Sequence, residues 1–139
     1  MTMNAEKIEH IGIAVKKLED HIDFYQNVLG LEYLGIEEVE EQKVRVAMFK
    51  TGQSVIELLE PTSNESPISG FLEKKGEGLH HLCFKVPNVD KAIEVANDKN
   101  IAMIDKKPRI GAGGSKIAFI HPKSSGKVLM ELTEGGHHC

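Results

Sequence analysis

The sequence has no tryptophan, two tyrosines and five phenylalanines, so aromatic residues make up only 5% of it. Lysine and arginine total 17 against 21 acidic residues, a formal charge of −4, and no long basic run occurs. Duplex nucleic acid and anionic membrane surfaces are therefore poor partners. No apolar stretch approaches the ~18 residues that span a bilayer, and Met1 to Lys7 lacks the charged-then-apolar order of a secretory signal. Two cysteines, Cys83 and Cys139, are too few for a disulfide framework. The expected location is the cytoplasm. Cys83 falls in an apolar strand pattern and reads as a small core residue; Cys139 ends the tail Gly135-Gly136-His137-His138-Cys139, a frayed end with at most adventitious metal affinity.

What is present is a chain of 139 residues, 40% hydrophobic and 27% charged, ample for one domain with a real core. Ile8 to Val15 alternates as a strand with Ile11, Ile13 and Val15 on one face. Leu18, Ile22, Tyr25 and Leu29 recur at helical spacing, and Gly30 stops them. Strands are expected over about 31–39, 43–50 and 54–60, with Thr51-Gly52 turning between the last two. Residues 61–77 form a polar connection with a short helix at 71–75. The pattern then restarts: a strand over 80–86, a helical face of Val89, Ile93 and Ala96, and strands near 101–106, 116–120 and 127–133.

The two openings align His10 with His81, 71 residues apart, and the two closing strands align Glu57 with Glu131, 74 apart. Loops absorb the difference of three. The expected fold is α+β: two β-α-β-β-β modules, about 5–60 and 78–134, paired by pseudo-twofold symmetry into one domain spanning 1–139. Neither module alone has the surface to cover its own sheet.

His10 faces away from Ile11, Ile13 and Val15; His81 faces away from Leu82, Phe84 and Val86. Glu57 sits between Ile56 and Leu58, and Glu131 between Met130 and Leu132, although glutamate is a poor strand residue and costly to bury unpaired. One solvated histidine or glutamate would be unremarked. Two of each, related by the same repeat, converge on one site. Two imidazoles and two carboxylates suit Co, Mn, Ni, Fe or Zn and tolerate Mg less readily. In six-fold coordination four protein ligands leave two positions for water or substrate, the pattern of a catalytic rather than a structural ion. His80, His21 and His121 read as structural, solvated and loop-orienting respectively. Gly111 to Gly114 lacks the Gly-Lys-Ser/Thr of a phosphate loop, and is either a close-approach segment for a ligand or a plain connection.

These residues carry a resemblance. The paired halves resemble the vicinal-oxygen-chelate superfamily, which includes glyoxalase I, extradiol dioxygenases and methylmalonyl-CoA epimerases. Within it the chain is most similar to the epimerase family, through Glu9-His-Ile-Gly-Ile-Ala-Val15, Phe24-Tyr25, Val55 to Pro61 and Gly78-Leu-His-His-Leu82. Pro108-Arg-Ile-Gly-Ala-Gly-Gly114, continuing through Ile117 to Lys123 and Val128 to Leu132, is the most distinctive block.

The resemblance implies metal binding by His10, Glu57, His81 and Glu131. It further implies one divalent ion per chain (Co2+ foremost, with Mn2+, Ni2+, Zn2+ or Mg2+ as alternatives), a homodimer, and methylmalonyl-CoA as substrate. The implied reaction interconverts the 2R and 2S epimers through an enolate; the equivalent positions of Glu57 and Glu131 in the two halves make them the candidate acid and base. One departure matters: some of these epimerases carry Gln at the position of Glu57 and a further Glu at that of Val46. Here the carboxylate has moved to the neighbouring strand. Arg45, Lys116 and Lys123 are available to CoA phosphates but read equally as surface charge. A glyoxalase I-like isomerase or lyase and a metal-free binding module are the competing expectations; a dioxygenase would use one carboxylate fewer.

Overall fold

The computed structural model describes residues 1–135, so the tail from Gly136 to Cys139 lies outside the described residues. Contacts divide the chain into two units, Ile11–His80 and Met1–His10 with His81 onward. Strand β1, Lys7–Ala14, contributes its two ends to different units. The described residues form eight strands and two α-helices, the α+β composition expected from the sequence.

In the Ile11–His80 unit, β2 (Glu32–Val39), β3 (Val44–Thr51) and β4 (Ser54–Pro61) pair antiparallel, and β4 neighbours β1. The β3–β4 turn closes on Thr51 opposite Ser54, with Gly52 at φ +62°, a conformation that glycine adopts without a Cβ penalty. Ala47, Phe49, Leu58 and Ile56 share the face that packs on Val15 and Leu18. Helix α1, Pro67–Lys75, begins four residues before the expected start. Its signal is Ser66-Pro67: the Ser66 hydroxyl accepts the Ile68 N–H, and proline suits the first helical position.

The expected helix over Leu18–Leu29 is not a regular one. A 3₁₀ turn at Leu18–Asp20 is followed by a π-helical turn at Phe24–Val28, where the Leu29 N–H donates to the Phe24 carbonyl. The wider turn lets Ile22 and Tyr25 reach the cluster around Phe49, while Leu29, counted above on the apolar face, is 54% exposed.

In the other unit β5 (Gly78–Lys85) enters from the boundary and lies between β1 and β8. Helix α2 (Val89–Asp98) follows, then β6 (Arg109–Ile110), β7 (Lys116–Ile120) and β8 (Met130–Thr133). Beyond β5 the order is β8, β7, β6; β5 runs parallel to β8, and the remaining pairs are antiparallel. Asn88 caps α2 by accepting the Lys91 N–H, and Val89, Ala92 and Ile93 pack on Ala118, Ile120 and Leu132.

The strand expected near 101–106 does not form. Met103 makes one isolated bridge to Ile120, and the Asp105 carboxylate accepts the Phe119 N–H at 2.8 Å, filling the place of a ladder carbonyl. The pairing strand is instead the two-residue β6.

Candidate metal centre

Register decides what each strand offers. Glu131 on β8 stands opposite Cys83 on β5 and Phe119 on β7, so these three share one sheet face. His81, two residues before Cys83, lies on it too, while Leu132 and Ala118 turn the other way onto α2. A sheet that covers one face with a helix thus presents a histidine and a glutamate on the opposite face. His10 reaches the same place from β1.

His10 Nε2 lies 3.0 Å from His81 Nε2 and 3.1 Å from Glu131 Oε1, and His81 Nε2 lies 3.0 Å from that same oxygen. The three residues are 6%, 8% and 6% exposed, so water does not separate them. The imidazoles meet edge to face, centroids 5.1 Å apart. An imidazole nitrogen has one in-plane direction, carrying either a proton or a lone pair. Hydrogen bonding alone therefore cannot satisfy all three edges of the triangle, because each Nε2 would have to serve two partners. A shared cation at the centre can. The three donor atoms lie close enough together to hold one ion.

Burial pushes the Glu131 carboxyl up, but hydrogen bonds and charge from His10 and His81 outweigh it and hold the group well below the usual carboxylate range. The other ring nitrogen of His10, Nδ1, contacts the Glu9 carboxylate, and Glu9 is 1% exposed. Cys83, fully buried as expected from the sequence, lies within ligand distance of Glu9 and His10. Burial pushes its thiol up to about 12, and it remains protonated. Glu9 and Phe119 were not singled out by the sequence reading. The available signal for Glu9 was a charged residue inside an apolar strand, next to a candidate ligand. The Phe119 ring meets His81 edge-on at 6.0 Å and carries the Arg109 guanidinium 5.1 Å from its centroid; Asp105 ties Arg109 down at 3.2 Å.

Glu57 belongs to the Ile11–His80 unit. It is 4% exposed on β4, opposite Met48 on β3, and shares a face with Val46, Met48 and Leu59. That face is opposite the one bearing Phe49 and Leu58. A buried carboxylate in those apolar surroundings is not there for packing.

The remaining candidates take structural parts. His80 packs edge-on against Phe71 at 5.0 Å. His21 lies at the surface, where it contacts Glu77 at 3.0 Å. His121 orients its loop, its Nδ1 accepting the Lys123 N–H. Arg45 pairs with Glu60 at 3.3 Å and Lys116 with Asp90 at 2.9 Å. Gly111 to Gly114 is a fixed turn, with the Gly111 N–H donating to the Ser115 carbonyl.

The family model for the Glyoxalase/Bleomycin resistance protein/Dioxygenase superfamily matches residues 9–119. Uncharacterized protein YqjC of Bacillus subtilis (strain 168) is 48% identical over 128 residues, covering 92% of this chain and 91% of that protein. The mitochondrial methylmalonyl-CoA epimerase of Homo sapiens is 38% identical over 132 residues, 94% of this chain and 75% of that one. Among solved structures, a variant of Streptomyces coelicolor methylmalonyl-CoA epimerase in complex with 2-nitronate-propionyl-CoA superposes with a TM-score of 0.89 at 38% identity, covering 96% and 97% of the two chains. These similarities establish that the chain belongs to the Glyoxalase/Bleomycin resistance protein/Dioxygenase superfamily, the vicinal-oxygen-chelate group.

Proposed function

We propose that the chain is a divalent-metal-dependent methylmalonyl-CoA epimerase, interconverting the 2R and 2S epimers of an acyl-CoA. The observation that carries the reading is the buried triangle of His10, His81 and Glu131, found in a chain whose relatives from Homo sapiens and Cereibacter sphaeroides are named as epimerases of this substrate. His10, His81 and Glu131 hold the ion. The internal repeat, which pairs Glu57 with Glu131, assigns Glu57 as the fourth ligand. Residues 1–139 then act as one functional domain.

Epimerisation breaks the C–H bond between a thioester and a carboxylate and forms a new one on the opposite face. The electron pair passes into the thioester as an enolate and returns, so no oxidant or reductant is needed. A bound divalent cation supplies positive charge where the enolate oxygen develops. The protein supplies two proton-transferring groups, one for each face. Glu131 and Glu57 are the pair the repeat provides. Ligation lowers the basicity of a carboxylate, yet a monodentate ligand keeps one oxygen free to take a proton. Burial at both positions keeps competing water away. A positioned base contributes ~10²–10⁴ in rate.

The test is incubation of the metal-loaded protein with methylmalonyl-CoA in deuterated water. The expected result is metal-dependent deuterium incorporation at the α-carbon with interconversion of the epimers. Metal-loaded protein that leaves the α-hydrogen unexchanged but converts a hemithioacetal refutes the reading in favour of a glyoxalase. In Glu57→Gln, retained metal with lost exchange supports the base assignment, and full activity refutes it.

A further inference from the structure

The two ring nitrogens of His10 make contacts of different kinds. Nε2 belongs to the triangle with His81 and Glu131, while Nδ1 is in direct hydrogen-bond contact with the Glu9 carboxylate. Two groups of metal-competent side chains therefore exist among the described residues, Glu9 with His10 and Cys83, and His10 with His81 and Glu131. They share only His10. A neutral imidazole has one lone pair to give, so it cannot serve an ion in both. The choice follows from the contacts. Nδ1 meets one carboxylate oxygen, a pair that a single proton bridges, whereas Nε2 meets both a second imidazole nitrogen and a carboxylate oxygen, a set that one proton cannot bridge.

We propose that Glu9 is the positioning residue of this site: its carboxylate accepts the Nδ1–H of His10, fixing the tautomer and ring plane that turn the Nε2 lone pair toward the metal. Glu9 is therefore not a ligand. A carboxylate 1% exposed in the middle of a strand requires a charge-assisted partner, and the His10 N–H supplies it. The arrangement matches a general rule of metal sites, in which a ligating histidine gives its second N–H to a carboxylate that orients the ring and raises its donor strength. His81 reaches the site from the middle of a paired strand with Phe119 against its ring. His10 relies on Glu9 to hold its tautomer.

The inference rests on the metal reading of the triangle, not on the epimerase chemistry, and two measurements test it. In the zinc-loaded full chain, ¹⁵N shifts of the His10 imidazole report which nitrogen carries the proton. The expected pattern is a protonated Nδ1 and a metal-bound Nε2; the reverse tautomer overturns the proposal. Second, competition with a chromophoric chelator gives Co2+ affinity. Glu9→Gln and the apolar Glu9→Leu are expected to bind Co2+ about 10–100-fold more weakly than the wild type. The Co2+ visible absorption of the loaded variants should keep its shape, because no ligand has been removed. Affinity within threefold of wild type in a folded Glu9→Leu refutes the positioning role. A changed Co2+ spectrum in both variants refutes it too, since it makes Glu9 a ligand. The failures are distinguishable. Loaded wild type that exchanges no α-proton sinks the epimerase reading and leaves the His10 tautomer standing. A wild-type chain that takes up no divalent metal sinks both.

Discussion

If His10, His81 and Glu131 are a ligand set, metal must stabilise the folded chain, and the size of the effect can be worked out. An unfolded chain scatters the three donors, so binding is a property of the native state alone. At a free metal concentration a thousand times Kd, linkage adds about 4.1 kcal/mol to stability. Unfolding entropy near 60 °C is about 2.1 cal/mol/K per residue, which for 139 residues gives about 0.29 kcal/mol/K. Each kcal/mol then moves Tm by about 3.4 °C, and saturating metal should raise it by about 14 °C.

The perturbation is His81→Ala, which removes one vertex of the triangle. Even a 100-fold weaker site cuts the gain to about 1.4 kcal/mol, or about 5 °C, at the same metal concentration. Differential scanning fluorimetry of chelator-stripped protein, titrated with Co2+, reads both shifts. Two controls locate the effect. His21→Ala breaks the exposed pair with Glu77 and should leave the shift intact. Replacing His137 and His138, a second source of imidazole in the sequence, should leave it intact as well. Equal shifts in wild type and His81→Ala refute the argument, because the metal would then be bound elsewhere. A shift that disappears only with His137 and His138 replaced does the same.

Four further outcomes follow from other parts of the molecule. Gly111→Ala places a Cβ 2.8–2.9 Å from the Cδ1 and Cγ2 of Ile117, which is 2% exposed and has little room to yield; overpacking should cost about 1–3 kcal/mol, read as a fall in the urea midpoint at unchanged m. Ser66→Ala removes the α1 cap and leaves the Ile68 N–H without its acceptor, so a loss of about 1 kcal/mol in the same assay is expected, and no change would mean that Pro67 alone starts the helix. Glu77 accepts the Lys16 N–H and pairs with His21, contacts that hold its carboxyl below the ordinary range. A depressed folded-state value stabilises above the unfolded-state value and is lost as pH falls through the folded one; the deficit of Glu77→Gln, under about 1 kcal/mol at this exposed position, should shrink on acidification, and a deficit that grows would reverse the sign assigned here. Cys83, with its thiol pushed up to about 12 by burial, should resist iodoacetamide at pH 8 in the folded chain and react after denaturation, by peptide mass spectrometry; rapid modification of native protein would contradict its burial.

Much of this architecture is legible in the sequence because strand alternation and a repeat are one-dimensional signals. Ile11, Ile13 and Val15 against His10 already separate two faces of a strand, and the same contrast around His81 and Glu131 marks the face that α2 leaves uncovered. What fails is whatever depends on a side chain standing in for backbone. Residues 101–106 alternate well enough for a strand, but Asp105 takes the Phe119 N–H through its carboxylate, and the pairing moves on to Arg109–Ile110. Leu18 to Leu29 carries helical spacing, yet the need to seat both Ile22 and Tyr25 against the cluster around Phe49 widens the turn to a π-helical one. Glu9 escaped for a related reason. Period-two reasoning sends neighbours to opposite faces, but a glutamate is long enough to fold back onto the ring beside it.

The substitution at Val46 gains a physical meaning from the β3–β4 register. Val46 pairs with Leu59 and Glu57 with Met48, so Val46 and Glu57 stand diagonally across two adjacent strands on one face. A carboxylate moved from the first position to the second stays on that face and within a diagonal cross-strand spacing, about 7–8 Å between Cα atoms, of where it began. Val46 then becomes an apolar wall, 2% exposed, beside the glutamate. A chain with Gln at 57 and Glu at 46 would separate the tasks of binding metal and moving protons, both of which are proposed here for Glu57. In this chain Glu57 is the carboxylate that β4 places on that face, and Glu37 of β2 stands opposite Val46 on it. Glu57→Gln therefore restores the ligand of the other arrangement without its base, and Val46→Glu with Glu57→Gln restores both. If the division of labour is as argued, the single variant loses α-proton exchange while keeping metal, and the double variant regains it. Exchange that survives the single variant would mean that Glu131, Glu37 or a residue outside this face moves both protons.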